Sequence, residues 1–261
     1  MSELNTLFRR KIKVSTNEEI TFTALNTILE KTATTFPFGN LSIIANKTEV
    51  VTKENLINKL LIRNEGGLCF ELNPLLYFFL IENGFNATLV RGEVYNDEKQ
   101  DWYHFGRTHV AILLHHEEQT YLLDTGFGGN LPLKPVPLNG DTVISRNGDF
   151  RVQRQQTEYG NNVLQFKLRY KHTDWQMGYT FDSNHPVADM MELNELQEII
   201  VQDERSPFNK SPLITKLTSN GNVTLTNNSF TQWSHGKSKK EQIDEARFKQ
   251  LVHQYFGLQV L

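Results

Sequence analysis

Apolar residues in the first third of the chain recur at helical spacing. Between residues 20 and 29 the apolar positions fall three or four residues apart, which places their side chains on one face of a helix. Thr52 is a suitable N-cap for a second segment of this kind at 56–61. A third apolar run, 75–80 (LLYFFL), ends at an Asn-Gly pair that is typical of a helix stop. The pattern therefore predicts a helical bundle over residues 1–85.

From residue 86 the pattern changes to short segments rich in β-branched and aromatic residues. Such segments cover 88–95, 108–114 and 120–124, and turn residues separate them. An Asn-Gly pair at 147–148 lies between two further segments, which predicts a hairpin with a two-residue type I′ turn. Successive short strands joined by tight turns are typical of a small barrel or sandwich. We therefore expect a β-barrel over residues 86–183.

The last part of the chain, 184–261, mixes the two patterns. Apolar residues at helical spacing follow Asp189, and two strand-like segments flank the turn at 219–222. Ser238 and Glu241 have the spacing of a capping box, which predicts that a terminal helix begins there. The predicted fold class is α+β, with a helical bundle, a β-barrel and an α/β segment in this order.

Composition narrows the classes of function. The 261 residues suffice for one large domain or for two to three subdomains that share a core. The net charge is -3 and lysines cluster only at 237–240, so we expect no nucleic-acid partner. No segment approaches the ~18 apolar residues of a membrane span, and the first residues contain no signal-peptide core, so we expect no membrane partner. The single cysteine excludes an intrachain disulfide and suits a reducing cytosol, so we expect a cytoplasmic protein.

Cys69 lies between a Gly-Gly pair and the apolar run of the third predicted helix. Pro74 fits only near the start of that helix, where a missing N–H donor matters little because those groups have no helical partners. Cys69 therefore lies at or just before the helix N-terminus, where free N–H groups and the helix dipole stabilise a thiolate. A lone cysteine is more often a small buried apolar side chain, so a catalytic role requires a base and an orienting acid.

His109 and Asp124 are the candidates for that base and acid. His109 begins a predicted strand, and Asp124 ends the next one beside a Gly-Phe-Gly-Gly turn, which it could instead cap. If a loop of even length joins the strands, both side chains point to one face, with roughly 5–8 Å between their Cβ atoms. An odd loop or a bulge would separate them. His115 and His116 adjoin two glutamates at the turn between these strands, so we interpret them as solvated and expect no metal site.

Five motifs follow one another along the chain. They are 37–41 (PFGNL), 66–73 (GGLCFELN), His109 with the following valine, 124–128 (DTGFG) and the Phe-Gly pair at 256–257. Together they resemble the arylamine N-acetyltransferase family over nearly the whole chain. The resemblance implies a helical bundle, a β-barrel and an α/β lid, with a Cys-His-Asp arrangement like that of cysteine proteases and transglutaminases.

Two positions differ from the family pattern. The family usually has Glu at the position of Gly39 and Arg at the position of Glu65. We infer that those two groups pair in the family and brace the loop that precedes Cys69, called the cysteine loop below. Both positions are changed here, so neither member of the pair remains without its oppositely charged partner. Arg63 is a candidate to replace part of the brace.

The resemblance implies a ping-pong acetyl transfer from acetyl-CoA to arylamines or arylhydrazines. Cys69 would attack the thioester, His109 would act as the base, and Asp124 would orient the imidazole and stabilise its charged form. The resemblance also implies that Phe38 and Phe127 flank the flat acceptor, although ordinary core packing would equally explain these two residues.

The implied acyl donor is acetyl-CoA, and no metal is implied. By rough alignment with the family, Phe105, Gly106 and Ser211 fall at CoA-contact positions. Gly126 and Gly128 belong to a glycine-rich loop that lets the backbone approach a ligand closely. The expected partners are acetyl-CoA and a small aromatic amine, and the expected assembly is a monomer or a homodimer.

Other functions fit the same residues or the same fold. A cysteine amidase or hydrolase would resolve the acyl-enzyme with water, and an amide synthase would form an amide within a larger molecule. A non-catalytic binding protein would keep the fold and have a Cys69 thiol of ordinary reactivity. The lifetime of the acyl-enzyme and the reactivity of the thiol distinguish these functions from the transferase.

Overall fold

The computed structural model describes residues 1–258, and its helices lie towards the two ends of the chain. They are α1 (Glu3–Lys11), α2 (Leu25–Thr35), α3 (Leu41–Ile44), α4 (Lys53–Leu56), α5 (Cys69–Glu82), α6 (Met191–Gln202) and α7 (Glu245–Leu251). Two π-helical turns, Ile57–Ile62 and Val252–Phe256, continue α4 and α7. Within the described residues, no helix combines the length and the apolar character needed to cross a membrane.

The strands form two sheets in which neighbouring strands are antiparallel. They are β1 (Phe38–Gly39), β2 (Asn86–Asn96), β3 (Asp101–Trp102), β4 (His109–His116), β5 (Gln119–Leu123), β6 (Val136–Pro137), β7 (Val143–Ile144), β8 (Gly148–Arg154), β9 (Asn162–Leu168), β10 (Gln176–Pro186), β11 (Leu213–Thr218), β12 (Gly221–Thr226), β13 (Ser229–Ser234) and β14 (Lys237–Gln242).

The larger sheet curls into a nearly closed barrel. Its strand order is β6-β5-β4-β2-β10-β9-β8-β7, with β3 paired to β2, and β6 at one end also contacts β8 near the other. Alternate side chains of these strands point inward and form an apolar core that includes Val90, Phe150 and Phe181. The predicted fold class, with a helical N-terminal part followed by a β-barrel, is confirmed.

Helix α5 is buried along most of its length because it lies between the other N-terminal helices and the barrel. Leu76 and Phe79 are fully buried, and the same apolar core includes Leu89 of β2 and Val110 of β4. A helix that is apolar on every side is typical of such a central position. This packing holds the N-terminus of α5 against the start of β4.

The smaller sheet has the order β1-β11-β12-β13-β14. Its first strand comes from the N-terminal part of the chain, since Phe38 pairs with Thr215 and Gly39 pairs with Ile214. Helix α6 lies near the other end of the chain, yet its buried residues belong to the N-terminal core. The division into 1–85, 86–183 and 184–261 therefore stays a prediction, although the N-terminal core also contains residues of β2, β4 and α6.

Two local predictions are wrong. The hairpin at 147–148 has a four-residue loop, because Ile144 pairs with Asp149, and the amide of Asn147 instead donates to the carbonyls of Gly129 and Leu131. The apparent capping box at 238–241 lies within β14, which is paired with β13. Helix α7 begins later, where Asp244 accepts a hydrogen bond from a backbone N–H of the first turn.

Candidate active site

Cys69 is the first residue of α5, as predicted from its sequence position. The side chain is 6% exposed, and its Sγ atom lies 3.5 Å from the carbonyl oxygen of Thr108. The preceding residue, Leu68, is the N-cap, and its backbone N–H donates to Glu71 at 3.0 Å. The thiol thus lies at the positive end of a 14-residue helix.

His109 and Asp124 lie on one face of the barrel sheet, as expected for a loop of even length. A two-residue turn joins β4 to β5, because His116 pairs with Gln119. This register makes His109 and Asp124 diagonal neighbours, and Nε2 of His109 lies 2.7 Å from Oδ2 of Asp124. Both side chains are buried.

The carboxylate of Asp124 accepts four hydrogen bonds. Oδ1 accepts from the side-chain amide of Asn73 at 2.9 Å and from the backbone N–H of Gly126 at 2.7 Å. Oδ2 accepts from His109 and, at 2.9 Å, from the hydroxyl of Tyr179. Three of the four donors are neutral, so they position the carboxylate of Asp124 without cancelling its negative charge. That charge therefore acts on the imidazole.

The imidazole of His109 is a stronger base than an ordinary histidine. Burial disfavours its charged form, but the charges of Asp124 and Cys69, together with hydrogen bonds to both, outweigh burial and raise the pKa of His109 to about 10. The ring therefore binds a proton more tightly than an ordinary histidine does at neutral pH. A thiol beside such a base is the arrangement that nucleophilic catalysis by cysteine requires.

Tyr179 and Asn73 are functional candidates that sequence reasoning missed. Tyr179 is fully buried, and its ring centroid lies 4.3 Å from that of His109. Burial and the nearby charge of Asp124 raise the pKa of its hydroxyl, which therefore stays a hydrogen-bond donor. Asn73 lies one helical turn after Cys69, a spacing that places it on the same face of α5. For Tyr179 no local signal exists, because β10 is distant in the chain.

A second buried network braces the cysteine loop. Glu71 pairs with Lys59, whose ammonium group also donates to Ser42 at 2.7 Å. Arg63, the candidate to replace part of the brace, pairs with Glu65 and Glu49 at 2.6 and 2.8 Å on the surface. The buried Lys59–Glu71 pair therefore supports the loop from within, and Arg63 balances the charge of Glu65 at the surface.

A cavity of about 860 Å³ opens above these residues. Cys69, His109, Phe38 and Phe127 all line it, so the two predicted acceptor contacts lie beside the nucleophile. The ring of Phe127 packs edge-on against His109, with centroids 5.2 Å apart. A concave site with aromatic side chains beside a nucleophile is typical of a small-molecule site.

The predicted CoA contacts divide into two groups. Phe105, Gly126 and Gly128 line the cavity, whereas Gly106 and Ser211 lie outside its lining. The backbone N–H of Gly106 donates to Glu93, and the carbonyl of Ser211 accepts from Asn40. These backbone groups are thus already used within the protein.

Gly126 has a structural requirement as well. A Cβ atom at this position would lie 2.6 Å from the Cα atom of Cys69. Only glycine allows the loop after Asp124 to pack this closely against the start of α5. Gly126 thus packs against the nucleophile as well as lining the cavity, and its close approach to a ligand stays a prediction.

Across residues 1–258, no group of three or more His, Cys, Asp or Glu side chains is arranged to hold a metal ion. The histidine pair at 115–116 ends β4 beside the turn, as predicted, and His115 bonds to Thr120.

Comparison with known proteins identifies the family. The N-acetyltransferase family model matches residues 21–261. The chain is 39% identical over 240 residues to the uncharacterized acetyltransferase YvcN of Bacillus subtilis, covering 92% of each. It is 30% identical over 235 residues to the arylamine N-acetyltransferase / N-hydroxyarylamine O-acetyltransferase of Salmonella typhimurium, covering 86% of this chain and 78% of that protein.

A solved structure is closely similar over the full length. The NAT3 arylamine N-acetyltransferase of Bacillus cereus superposes with a TM-score of 0.94 at 39% identity, covering 99% of this chain and 100% of the other. That enzyme is reported to have a Cys-His-Glu catalytic triad, whereas the acid that pairs with His109 here is Asp124. From its sequence match and its fold, this chain belongs to the arylamine N-acetyltransferase family.

Proposed function

We propose that this protein transfers the acetyl group of acetyl-CoA to the nitrogen of an arylamine or arylhydrazine through an acetyl-Cys69 intermediate. The observation that carries the proposal is the Cys69–His109–Asp124 arrangement, whose cysteine and histidine line a cavity large enough for a small-molecule substrate. Family membership supports the reaction class. The arylamine N-acetyltransferase of Mycobacterium marinum, similar in fold with a TM-score of 0.84, has been solved in complex with CoA.

The first half-reaction acetylates the cysteine. The Cys69 thiolate attacks the thioester carbonyl, a carbon–sulfur bond forms, and the bond between the acetyl carbon and the CoA sulfur breaks. The proton held on His109 passes to the departing CoA thiolate, so that CoA leaves as its thiol. One thioester replaces another, and the exchange is close to energetically balanced.

Asp124 acts on this step through His109. Its hydrogen bond to Nε2 fixes the orientation of the ring, which leaves Nδ1 as the nitrogen that exchanges the proton with sulfur. Its charge stabilises the imidazolium that is present while the thiolate exists. Asn73, Gly126 and Tyr179 hold the carboxylate in that position.

The second half-reaction regenerates the enzyme. The acceptor nitrogen attacks the acetyl carbon of acetyl-Cys69, His109 takes the N–H proton, and the bond to sulfur breaks to release the amide. The products are the acetylated amine and the Cys69 thiolate with a protonated His109. Phe38 and Phe127 would contact the flat faces or edges of the acceptor ring, since both line the cavity beside the sulfur.

We further propose a cytoplasmic location and a monomeric or homodimeric state. A reducing cytosol would keep the single, functional cysteine as a thiol. During storage without dithiothreitol, the enzyme should therefore lose activity in proportion to the fraction of Cys69 that is oxidised. Size-exclusion chromatography with light scattering measures the oligomeric state.

The proposed reaction is tested by intact-protein mass spectrometry. Mixing with acetyl-CoA should add one acetyl group, and subsequent addition of an arylamine should remove it and yield the acetylated amine. The Cys69→Ser variant is the control, because its hydroxyl is not ionised by the histidine. An adduct that water removes without amine would identify a hydrolase. The absence of any adduct and of CoA release would contradict the acetyl-CoA mechanism and favour a binding protein.

A further inference from the structure

The backbone carbonyl of Thr108 faces the nucleophile. Its oxygen lies 3.5 Å from Sγ of Cys69, within reach of a weak hydrogen bond from the thiol. Thr108 directly precedes β4, lines the cavity and is 8% exposed. The ring of His109 also bonds to Cys69, which is one cause of the raised pKa of that ring. Two groups that can accept a proton or a hydrogen bond therefore adjoin the same sulfur.

The segment before Thr108 is anchored by a buried carboxylate. Glu93 lies on β2 and is 1% exposed, and its two oxygens accept hydrogen bonds from the backbone N–H groups of all three residues 105–107. Three consecutive amides that converge on one anion form a strong arrangement. Arg91 adds to the restraint, because its guanidinium donates to the carbonyls of the last two of these residues at 2.9 and 3.2 Å.

The backbone of this segment is unusual immediately before Thr108. Gly106 and Arg107 have φ angles of 99° and 54°. A non-glycine residue rarely adopts a positive φ, and it keeps one only where the surrounding structure enforces it. After Thr108 the chain enters β4, where His109 pairs with Gly92 of β2. The carbonyl of Thr108 is therefore fixed from both sides.

Acetylation of Cys69 changes what this carbonyl can bind. The thioester sulfur carries no proton, so the oxygen of Thr108 loses its donor, and a buried acceptor without a partner is unfavourable. The attacking nitrogen must approach the acetyl carbon, which is bonded directly to Sγ. As the C–N bond forms, this nitrogen becomes positively charged and its N–H groups become stronger donors. A hydrogen bond to the carbonyl would therefore strengthen in the transition state, which is what accelerates a reaction.

We propose that the Thr108 carbonyl binds one N–H of the attacking amine while His109 takes the proton of the other, and that Glu93 is the residue that positions this carbonyl. The nitrogen lone pair forms the C–N bond, the electrons of the C–S bond return to sulfur, and the second N–H remains on the amide product. The inference rests on the proposed function and deepens it, because the number of N–H groups on the acceptor nitrogen becomes a determinant of specificity.

Aminolysis of acetyl-Cys69 in single turnovers tests this specificity. The acetyl-enzyme is prepared with acetyl-CoA or with p-nitrophenyl acetate, and its decay is followed with aniline, which has two N–H groups, and with N-methylaniline, which has one. Aminolysis of a small acetyl thioester in solution by the same two amines corrects for their intrinsic reactivity. After this correction, wild type should favour aniline by about tenfold or more, the effect of one hydrogen bond from a charged donor.

The Glu93→Gln variant separates the hydrogen bond from the bulk of the methyl group. Glutamine has nearly the same shape, but its NH₂ group would face a backbone N–H, so the three-amide site cannot be satisfied. The preference for aniline should shrink by about tenfold, because the bulk of the methyl group acts equally in both enzymes and only the hydrogen bond differs. The matched control is Asp101→Asn, which changes a carboxylate near the same loop that accepts from the backbone N–H of Trp102. This control should keep the wild-type preference.

Hydrogen exchange shows whether the segment before Thr108 is released. In Glu93→Gln, the amides of residues 105–107 should exchange about tenfold faster or more, while the amides of β4 keep their protection. Unchanged exchange at 105–107 would overturn the positioning role of Glu93.

The remaining outcomes distinguish this inference from the proposed function. Faster exchange at 105–107 with an undiminished preference for aniline would overturn the role of the Thr108 carbonyl. The acetyl-CoA mechanism alone fails if acetyl-CoA leaves Cys69 unmodified while p-nitrophenyl acetate acetylates it, because aminolysis of that acetyl-enzyme still tests the carbonyl. An acetyl-enzyme that neither amine attacks would contradict both.

Discussion

Two buried carboxylates, Asp124 and Glu71, lie in the network around the nucleophile, and their hydrogen-bond and ion-pair partners differ. Asp124 receives hydrogen bonds from His109 and from three neutral donors. Glu71 forms an ion pair with Lys59 and accepts from the N–H of Leu68. Both are almost inaccessible to solvent, so the difference lies in the partners and not in the burial.

The difference in partners gives the two groups different effects. The charge of Asp124 is left to act on His109, and it raises the pKa of that ring. The charge of Glu71 is cancelled by Lys59, so it does not oppose a thiolate two residues away in the same helical turn. Asp124 therefore acts through its charge, and Glu71 holds the start of α5 through its hydrogen bond to Leu68.

Removing the charge of Asp124 should have the largest effect. Asp124→Asn keeps the shape, but it removes the charge and offers an NH₂ group to neighbours that are themselves donors. We expect kcat/KM to fall by about 10³- to 10⁴-fold, the magnitude typical of losing the acid that orients a catalytic imidazole. The pH profile of Cys69 alkylation by iodoacetamide should also change, because the pKa of His109 falls. Activity within tenfold of wild type would show that Asp124 has only a packing role and does not act on His109 through its charge.

Removing the cation beside Glu71 should act on stability. Lys59→Met leaves a buried, uncompensated carboxylate, and we expect the free energy of unfolding to drop by about 3–5 kcal/mol. The double variant Lys59→Met/Glu71→Gln removes both charges and keeps an acceptor for the N–H of Leu68, so it should recover most of that loss. Guanidinium unfolding curves measure both. A double variant as unstable as the single one would contradict the ion-pair account.

The pH dependence of stability should report the raised pKa of His109. The folded pKa of about 10 exceeds the ordinary value of 6.5, so the folded state binds this proton more tightly than the unfolded state. The contribution is therefore fully present below pH 6.5 and is lost as pH rises through about 10. We expect the difference in unfolding free energy between wild type and Asp124→Asn to shrink over this range. A difference that stays constant would show that Asp124 does not act through the charge of His109.

The surface pairs of Arg63 should matter least. The Arg63 side chain is 40% exposed, and its bonds to Glu65 and Glu49 are open to solvent. We expect Arg63→Ala to reduce stability by about 0–1 kcal/mol, and less in high salt, with no change in the rate of Cys69 acetylation. A large loss of activity would show that the surface pairs of Arg63, and not Lys59–Glu71, support the cysteine loop.

Much of the candidate site could be predicted from local signals. The position of Cys69 at a helix N-terminus followed from the Gly-Gly pair and Pro74. The shared face of His109 and Asp124 followed from strand alternation and an even loop. These predictions succeeded because each depends only on neighbours in sequence or on one hairpin. Local signals failed at 147–148 and 238–241, where tertiary hydrogen bonds and sheet pairing replaced the predicted turn and cap.

The sequence by itself determined that a helical N-terminal part precedes a β-barrel, the family resemblance and the three residue types at the centre of the site. Only the tertiary structure decided which partners surround them. Tyr179 reaches the site from a strand whose position no local pattern specifies, and Lys59 is revealed as the counter-ion of Glu71 only by burial. The physical reason is that spacing along the chain fixes which way a side chain points, whereas desolvation and hydrogen-bond satisfaction depend on what distant segments pack against it.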